Sequence, residues 1–280
     1  MKSTLITAEE LAALPPDGVL IVDCRHDLAD TQKGEREYNS EHIPGAVFAH
    51  LDRDLSDLSR ESLGFGRHPL PSEAHFSAVL GRWGWRPGLQ VVSYDASNGA
   101  LAAVRLWWLL RLCGVREAAV LDGGLAAWKA AKLPVSQATV QRLPTQVSMH
   151  YESSQVVLDH AVVAGLHGDL LIDARATLRY RGDVEPIDRA AGHIPGAVNR
   201  PFTDNLQADG RFKSPAELRQ EFHAVIGDHA PEQIVHMCGS GVTACHNVLA
   251  MEHAGMPGSR VYAPSWSGWI SDTSRPIAKG

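Results

Sequence analysis

Short runs of four to six apolar residues alternate along the chain with longer stretches where apolar positions recur every three or four residues. The runs at 19–23, 90–94, 118–121, 169–173, 233–237 and 259–262 read as buried strands. The stretches at 72–81, 99–112, 124–131, 153–164, 214–226 and 242–254 read as helices. Thr7 followed by Glu10, and Ser214 followed by Glu217, are capping-box starts, the second with Pro215 at the first helical position. Strands alternating with helices predict an α/β chain, with parallel sheets covered by helices on both faces. The periodicity lapses near 134–150, where Pro134, Pro144 and polar residues interrupt it.

The pattern is present twice. Asp23-Cys24-Arg25 closes one strand and Asp173-Ala174-Arg175 another, 150 residues later. The hexapeptide His42-Ile-Pro-Gly-Ala-Val47 recurs letter for letter at His193–Val198, an offset of 151. The runs beginning at Gln90 and Gln233, and the residues Trp128 and Trp269, repeat at offsets of 143 and 141. One unit of roughly 140 residues is therefore duplicated. The expected division is a first domain over 1–137, a linker over 138–150 and a second domain over 151–280.

Composition narrows the function classes. The 280 residues are 44% apolar and 21% charged, which is globular and sufficient for two domains. A net charge of −6 argues against a nucleic-acid face. The longest apolar stretch, Ala100–Leu112, is broken by Arg105 and Arg111 and is too short to span a bilayer. Glu9 and Glu10 stand where an export signal would be apolar. The four cysteines are scattered, with no CxxC pair. The expectation is a soluble cytoplasmic protein with reduced thiols, bound to neither membrane nor nucleic acid. His236 and His246, near Cys238 and Cys245, fit no common zinc spacing, so no metal site is expected.

The two copies differ most informatively after the strand at 233–237. There the second copy reads Cys238-Gly-Ser-Gly-Val-Thr-Ala244, and the first reads Asp95-Ala-Ser-Asn-Gly-Ala-Leu101. A Gly-rich turn at the carboxyl edge of a parallel sheet points successive N–H groups inward as an anion nest. The helix N-terminus that follows adds positive potential. Such a place lowers the pKa of a cysteine thiol and makes Cys238 the candidate nucleophile. Cys24, Cys113 and Cys245 read as core thiols.

The duplicated HIPGA, the Asp-x-Arg after a strand and the loop CGSGVTA together resemble the tandem-rhodanese sulfurtransferases, over about residues 5–275. The loop is most similar to the 3-mercaptopyruvate branch, with thiosulfate sulfurtransferase (rhodanese) a close relative. The resemblance implies two rhodanese-like domains, the first catalytically inactive because Asp95 holds the cysteine position. It implies that the Cys238 thiolate takes the outer sulfur of a small-molecule donor as a persulfide. A thiol, cyanide or thioredoxin-like acceptor then removes it. Gly239, Ser240, Gly241, Val242, Thr243 and Ala244 would supply the anion nest, and no cofactor is called for.

Donor choice can be argued from charge. The loop carries no charged side chain, as suits the single carboxylate of 3-mercaptopyruvate better than the thiosulfate dianion. Arg179 matches the family's substrate-binding arginine and would clamp that carboxylate bidentately. Arg189 falls near a second family arginine, across a segment of different length. Loss of sulfur from mercaptopyruvate leaves an enolate that needs a proton, whereas sulfite needs none. Ser240 is the expected proton donor. By family position it would be partnered by His42, backed by Asp30 or by Asp27. His42 has an equal alternative as a turn holder, because His193 repeats its context. The rivals are a thiosulfate sulfurtransferase and a persulfide-carrying relay module. Finally, the family has a glycine at Pro264 and an acid at Gly268, which leaves the pocket shape open.

Overall fold

The computed structural model describes residues 1–165 and 168–280. The chain divides into two units. The first comprises Met1–Ser56, Pro71–Glu152 and Asp209–Arg211, and the second comprises Asp57–Leu70, Ser153–Ala208 and Phe212–Gly280. The division is therefore not linear in sequence, since Asp57–Leu70 belongs with the second unit.

Each unit is built on one five-stranded parallel sheet, with the same strand order. In the first unit the strands are β1 (Leu5–Ile6), β2 (Val19–Asp23), β3 (Val47–Phe48), β4 (Gln90–Tyr94) and β5 (Ala118–Leu121), in the order β1-β5-β4-β2-β3. In the second they are β6 (Val156–Val157), β7 (Leu170–Asp173), β8 (Val198–Asn199), β9 (Ile234–Met237) and β10 (Arg260–Tyr262), in the order β6-β10-β9-β7-β8. The long central pairings are equivalent: Val19↔Gln90 through Asp23↔Tyr94, and Leu170↔Ile234 through Asp173↔Met237. Every residue of β2, β4, β5 and β9 is buried. That is why these strands read as continuous apolar runs and do not alternate.

All six strands expected from the pattern are present. The two-residue strands β1, β3, β6 and β8 are too short to leave a periodic trace. One expectation fails. The stretch 153–164 is a short 3₁₀ turn (Ser153–Gln155), then β6, then a helix (His160–Ala164). Val156 and Val157 are β-branched and pair with Val261 and Tyr262, and a sheet edge suits such side chains better than a helix. Asp159 then starts the helix by accepting the Ala161 N–H at 2.7 Å.

The helices bury one face. Leu218, Phe222 and Ile226 recur every four residues along Pro215–Ile226 and are its buried residues, each contributing about 1.5–3 kcal/mol. Both capping boxes form, at Thr7 with Glu10 and at Ser214 with Glu217. No helix among the described residues is long and apolar enough to cross a membrane.

The repeated motifs turn out to be the same fastenings made twice. Arg25 grips Asp23 and also donates to the Glu41 carbonyl, while Arg175 grips Asp173 and donates to the Gly192 carbonyl. His42 exchanges both backbone bonds with Ser136, and His193 does the same with Ala278. Trp128 Nε1 donates to the Pro134 carbonyl, and Trp269 Nε1 to that of Pro276. Each HIPGA turn thus clips down the segment that leaves its own domain.

Candidate active site

Cys238 directly follows β9, and its loop runs into the helix Ala244–His253. Three features hold the loop. Gly241 has φ +76°, and a Cβ there would lie 2.2 Å from the Ala263 carbonyl oxygen. Only glycine permits that approach. From beneath, the Ser265 hydroxyl accepts the Cys238 N–H at 3.1 Å and donates to the Tyr262 carbonyl at 2.9 Å. Ser265 has φ +53°, a left-handed conformation costing about 1–3 kcal/mol that recurs at functional sites. The Cys238 and Gly239 carbonyls accept from Trp266 N–H at 3.0 Å and Ser267 N–H at 2.9 Å. No backbone carbonyl among the described residues takes the N–H of Gly239, Ser240, Val242 or Thr243. These donors remain available to an anion at Cys238.

Cys238 itself is 2% exposed. The other cysteines behave as core groups. Burial pushes the Cys24 thiol well up, and burial followed by the charges of Glu73 and Glu152 pushes Cys113 up to about 12. Cys245 Sγ points at the Gly241 carbonyl. His236 is fully buried beside Met251 and pushed down to about 3 by burial, then by the Arg200 charge. It is a neutral core ring at physiological pH.

Ser240 is buried, and its hydroxyl lies 2.8 Å from Nδ1 of His68. This corrects the expectation for His42. The His42 ring stacks on Tyr38 and turns its Nδ1 to the Tyr38 carbonyl at 2.8 Å. His193 does the same with Tyr180, at 2.9 Å. The twin rings hold twin turns. Asp30 and Asp27 also fall outside the expected relay: Asp30 pairs with Arg36 and Asp27 with Lys33, all four at the surface. Surface pairs of this kind contribute little.

Arg179 lies beside the loop. A Cβ on Gly239 would lie 3.7 Å from each of its terminal nitrogens. Its Nε and Nη2 grip Glu185 at 2.8–3.2 Å, and Nη2 also reaches Asp188 at 2.9 Å. Glu185 accepts the N–H groups of Ile187 and Asp188 as well. Burial raises the Glu185 pKa, but these bonds, that from Arg179 foremost, outweigh it and leave the carboxyl below its ordinary value. Arg189 is exposed and lines, with Arg67, Asp188 and Ser267, a cavity of about 270 Å³. A second guanidinium, that of Arg67, also reaches the loop, 3.4 Å from the same Gly239 Cβ position.

Arg67, His68, Glu185, Asp188 and Ser265 were not visible as site residues in the sequence. One signal pointed toward the first two. From His42 to Gln90 is 48 residues, but from His193 to Gln233 only 40. The first copy carries an insertion there, and Asp57–Leu70 lies in that region.

The departures at 264 and 268 are a matched pair. A Cβ on Gly268 would lie 2.5 Å from the Pro264 Cβ and 2.9 Å from the Gly64 carbonyl oxygen. The proline ring fills the room that an acidic side chain at 268 would need.

The rhodanese-like domain model matches the chain twice, at residues 7–131 and 159–272. The chain belongs to the rhodanese-like family. Both domains of this rhodanese-like chain are recovered by that match, in agreement with the duplication and the twin sheets. The chain is 48% identical over 281 residues to a Pseudomonas aeruginosa protein named as a probable 3-mercaptopyruvate sulfurtransferase, covering 99% of this chain and 98% of the relative. It is 34% identical to the thiosulfate sulfurtransferase of Cricetulus griseus, covering 90% and 85%. Among solved structures, 3-mercaptopyruvate sulfurtransferase from Leishmania major superposes with a TM-score of 0.82 at 32% identity, covering 95% of this chain and 73% of that one.

Proposed function

We propose that this rhodanese-like chain is a sulfurtransferase that moves sulfur from 3-mercaptopyruvate, through a persulfide on Cys238, to a thiol acceptor. The observation that carries the reading is the Ser240–His68 pair inside the cysteine loop. It offers a proton where the mercaptopyruvate reaction needs one.

In the first half-reaction the Cys238 thiolate attacks the donor sulfur. An S–S bond forms, the donor C–S bond breaks, and its electron pair passes to the pyruvate enolate. Ser240 gives a proton to the enolate carbon and recovers one through His68, so that Cys238-S-SH and pyruvate result. In the second half an acceptor thiolate attacks the outer sulfur, carries it off, and the Cys238 thiolate returns. The loop N–H groups of Gly239, Ser240, Val242 and Thr243 stabilise anionic sulfur at both stages. Arg179 orients the donor carboxylate. Every group this cycle uses is supplied by the chain itself.

The charges near the site support a monoanionic donor. The guanidiniums of Arg67, Arg175 and Arg179 face the carboxylates of Asp173, Glu185 and Asp188. Three cations against three anions leave the loop dipoles as the surplus, enough for one carboxylate. The first domain, with Asp95 at the cysteine position, is read as inactive. A soluble thiol, cyanide or a reduced thioredoxin is the acceptor chemistry, and the cytoplasm supplies such reduced acceptors.

The second reading is thiosulfate as donor, the substrate named for the thiosulfate sulfurtransferase relative. A side-by-side assay at matched concentrations of the two donors, with wild type and Cys238→Ser, separates them. Mercaptopyruvate preferred, with C238S inactive on both, is expected. Thiosulfate preferred reverses the order of the two readings. Retained activity in C238S removes the persulfide mechanism altogether.

A further inference from the structure

Asp188 shows how a carboxylate sits between the two guanidiniums. Its Oδ1 accepts from Arg67 Nη1 at 2.7 Å and its Oδ2 from Arg179 Nη2 at 2.9 Å. Its side chain is 3% exposed, so this bridge closes one side of the guanidinium pair. On the side toward Gly239 the pair offers Arg67 Nη2 and Arg179 Nη1. Neither nitrogen has a protein acceptor among the described residues, and Arg67 Nε is buried without one. Each guanidinium thus keeps a donor nitrogen without a protein acceptor beside the residue that follows Cys238.

We propose that Arg67 is the second arm of the donor clamp: with Arg179 it takes the donor carboxylate, one oxygen on each guanidinium, mirroring Asp188. This rests on the mercaptopyruvate reading and deepens it, and it moves the second arginine from Arg189 to Arg67. Because His68 follows directly, one dipeptide then sets both ends of the donor. Arg67 fixes the carboxylate, and His68, through Ser240, serves the carbon that loses sulfur. A planar carboxylate matches two guanidiniums side by side better than a tetrahedral sulfonate does, so this pair is the specificity determinant for 2-oxo acids.

The test is alkylation of Cys238 by 3-bromopyruvate, which carries the donor's carboxylate but needs no turnover, with iodoacetamide as the probe that lacks it. The site of modification is mapped by mass spectrometry, and the ratio of the two rates is compared among wild type, Arg67→Gln, Arg67→Lys and Arg189→Gln. In R67Q the half-saturating bromopyruvate concentration should rise about tenfold or more, the loss of one charge-assisted bond, with the iodoacetamide reaction retained. R67K should keep the fold through Asp188 yet recover little saturation, because one ammonium cannot serve both carboxylates in fork geometry. Half-saturation unchanged in both R67Q and R67K, or a larger loss from R189Q, overturns the proposal. If R67Q does not fold, R67K alone decides by the same criterion. Wild type that turns over no mercaptopyruvate and shows no saturation overturns the functional reading instead.

Discussion

The loop after β4 and the loop after β9 are the same device in two states. In the first, the Asp95 carboxylate is fully buried and accepts four backbone N–H groups, from Ser97 and Gly99 at one oxygen and from Leu101 and Ala103 at the other. In the second, Cys238 leaves the donors of its loop to whatever anion arrives. Both loops are tied from behind alike: the Asp95 carbonyl accepts from Leu125 N–H at 3.2 Å, the Cys238 carbonyl from Trp266 N–H at 3.0 Å. A nest that binds an anion can therefore be converted into architecture by supplying the anion from within. The first domain has its ligand built in, and the second has a cysteine thiol in its place.

Exchanging the two states is the strongest way to break this comparison. Cys238→Asp should lower sulfur transfer by about a thousandfold or more, since the nucleophile is gone. It should also raise Tm by about 2 °C or more relative to Cys238→Ser, because the new carboxylate takes up loop N–H groups as Asp95 does. Assay and thermal melts on the two variants decide this, and a Tm for C238D below that of C238S would mean the loops are not equivalent. Next in size, Asp95→Ala should cost about 3 kcal/mol in denaturant unfolding, because four buried donors lose one acceptor. Its persulfide chemistry at permissive temperature should be unchanged, and an equal loss of activity would argue against a purely architectural role. Ser240→Ala should reduce kcat with mercaptopyruvate about a hundredfold, while thiosulfate turnover falls far less. Parallel losses on both donors would remove the proton-donor argument.

The smallest effect sharpens the charge network around Arg179. Glu185 has its pKa held below the ordinary 4.5 in the folded chain. A depressed carboxyl contributes stability above its unfolded pKa and loses it as pH falls through the folded value. The Tm difference between wild type and Glu185→Gln should therefore be steady at neutral pH and shrink below about pH 4.5. A difference that stays constant through the acid range would show that Glu185 acts by shape and not by charge.

How much of this could be read from the chain depended on sequence distance. The long central strands announced themselves because burial on both faces forces continuous runs such as Val19–Asp23. The edge strands β1, β3, β6 and β8 did not, being two residues each and fixed only by their partners. Cys238 was legible because Gly239 and Gly241 flank it at a strand-to-helix junction. Its twin Asp95 marked the difference between the copies. Arg179 was legible from the family motif. His68 was not, since it lies 172 residues from Ser240 in a segment without a repeat twin. Family position drew the histidine assignment to His42, whereas the repetition of HIPGA marks a turn, as the matched Tyr38 and Tyr180 stacks show.

The backbone ties at Cys238 and Gly239 carry one more consequence. With both carbonyls bonded to Trp266 and Ser267 and the N–H of Cys238 bonded to Ser265, the carrier proposed above has no swinging arm. On the proposed cycle a loaded sulfur would sit about 2 Å beyond Sγ and stay there, so delivery would work like a fixed berth to which each acceptor must bring its own thiol. A long, slender thiol or one mounted on a projecting loop can dock there; a thiol recessed in its own protein cannot.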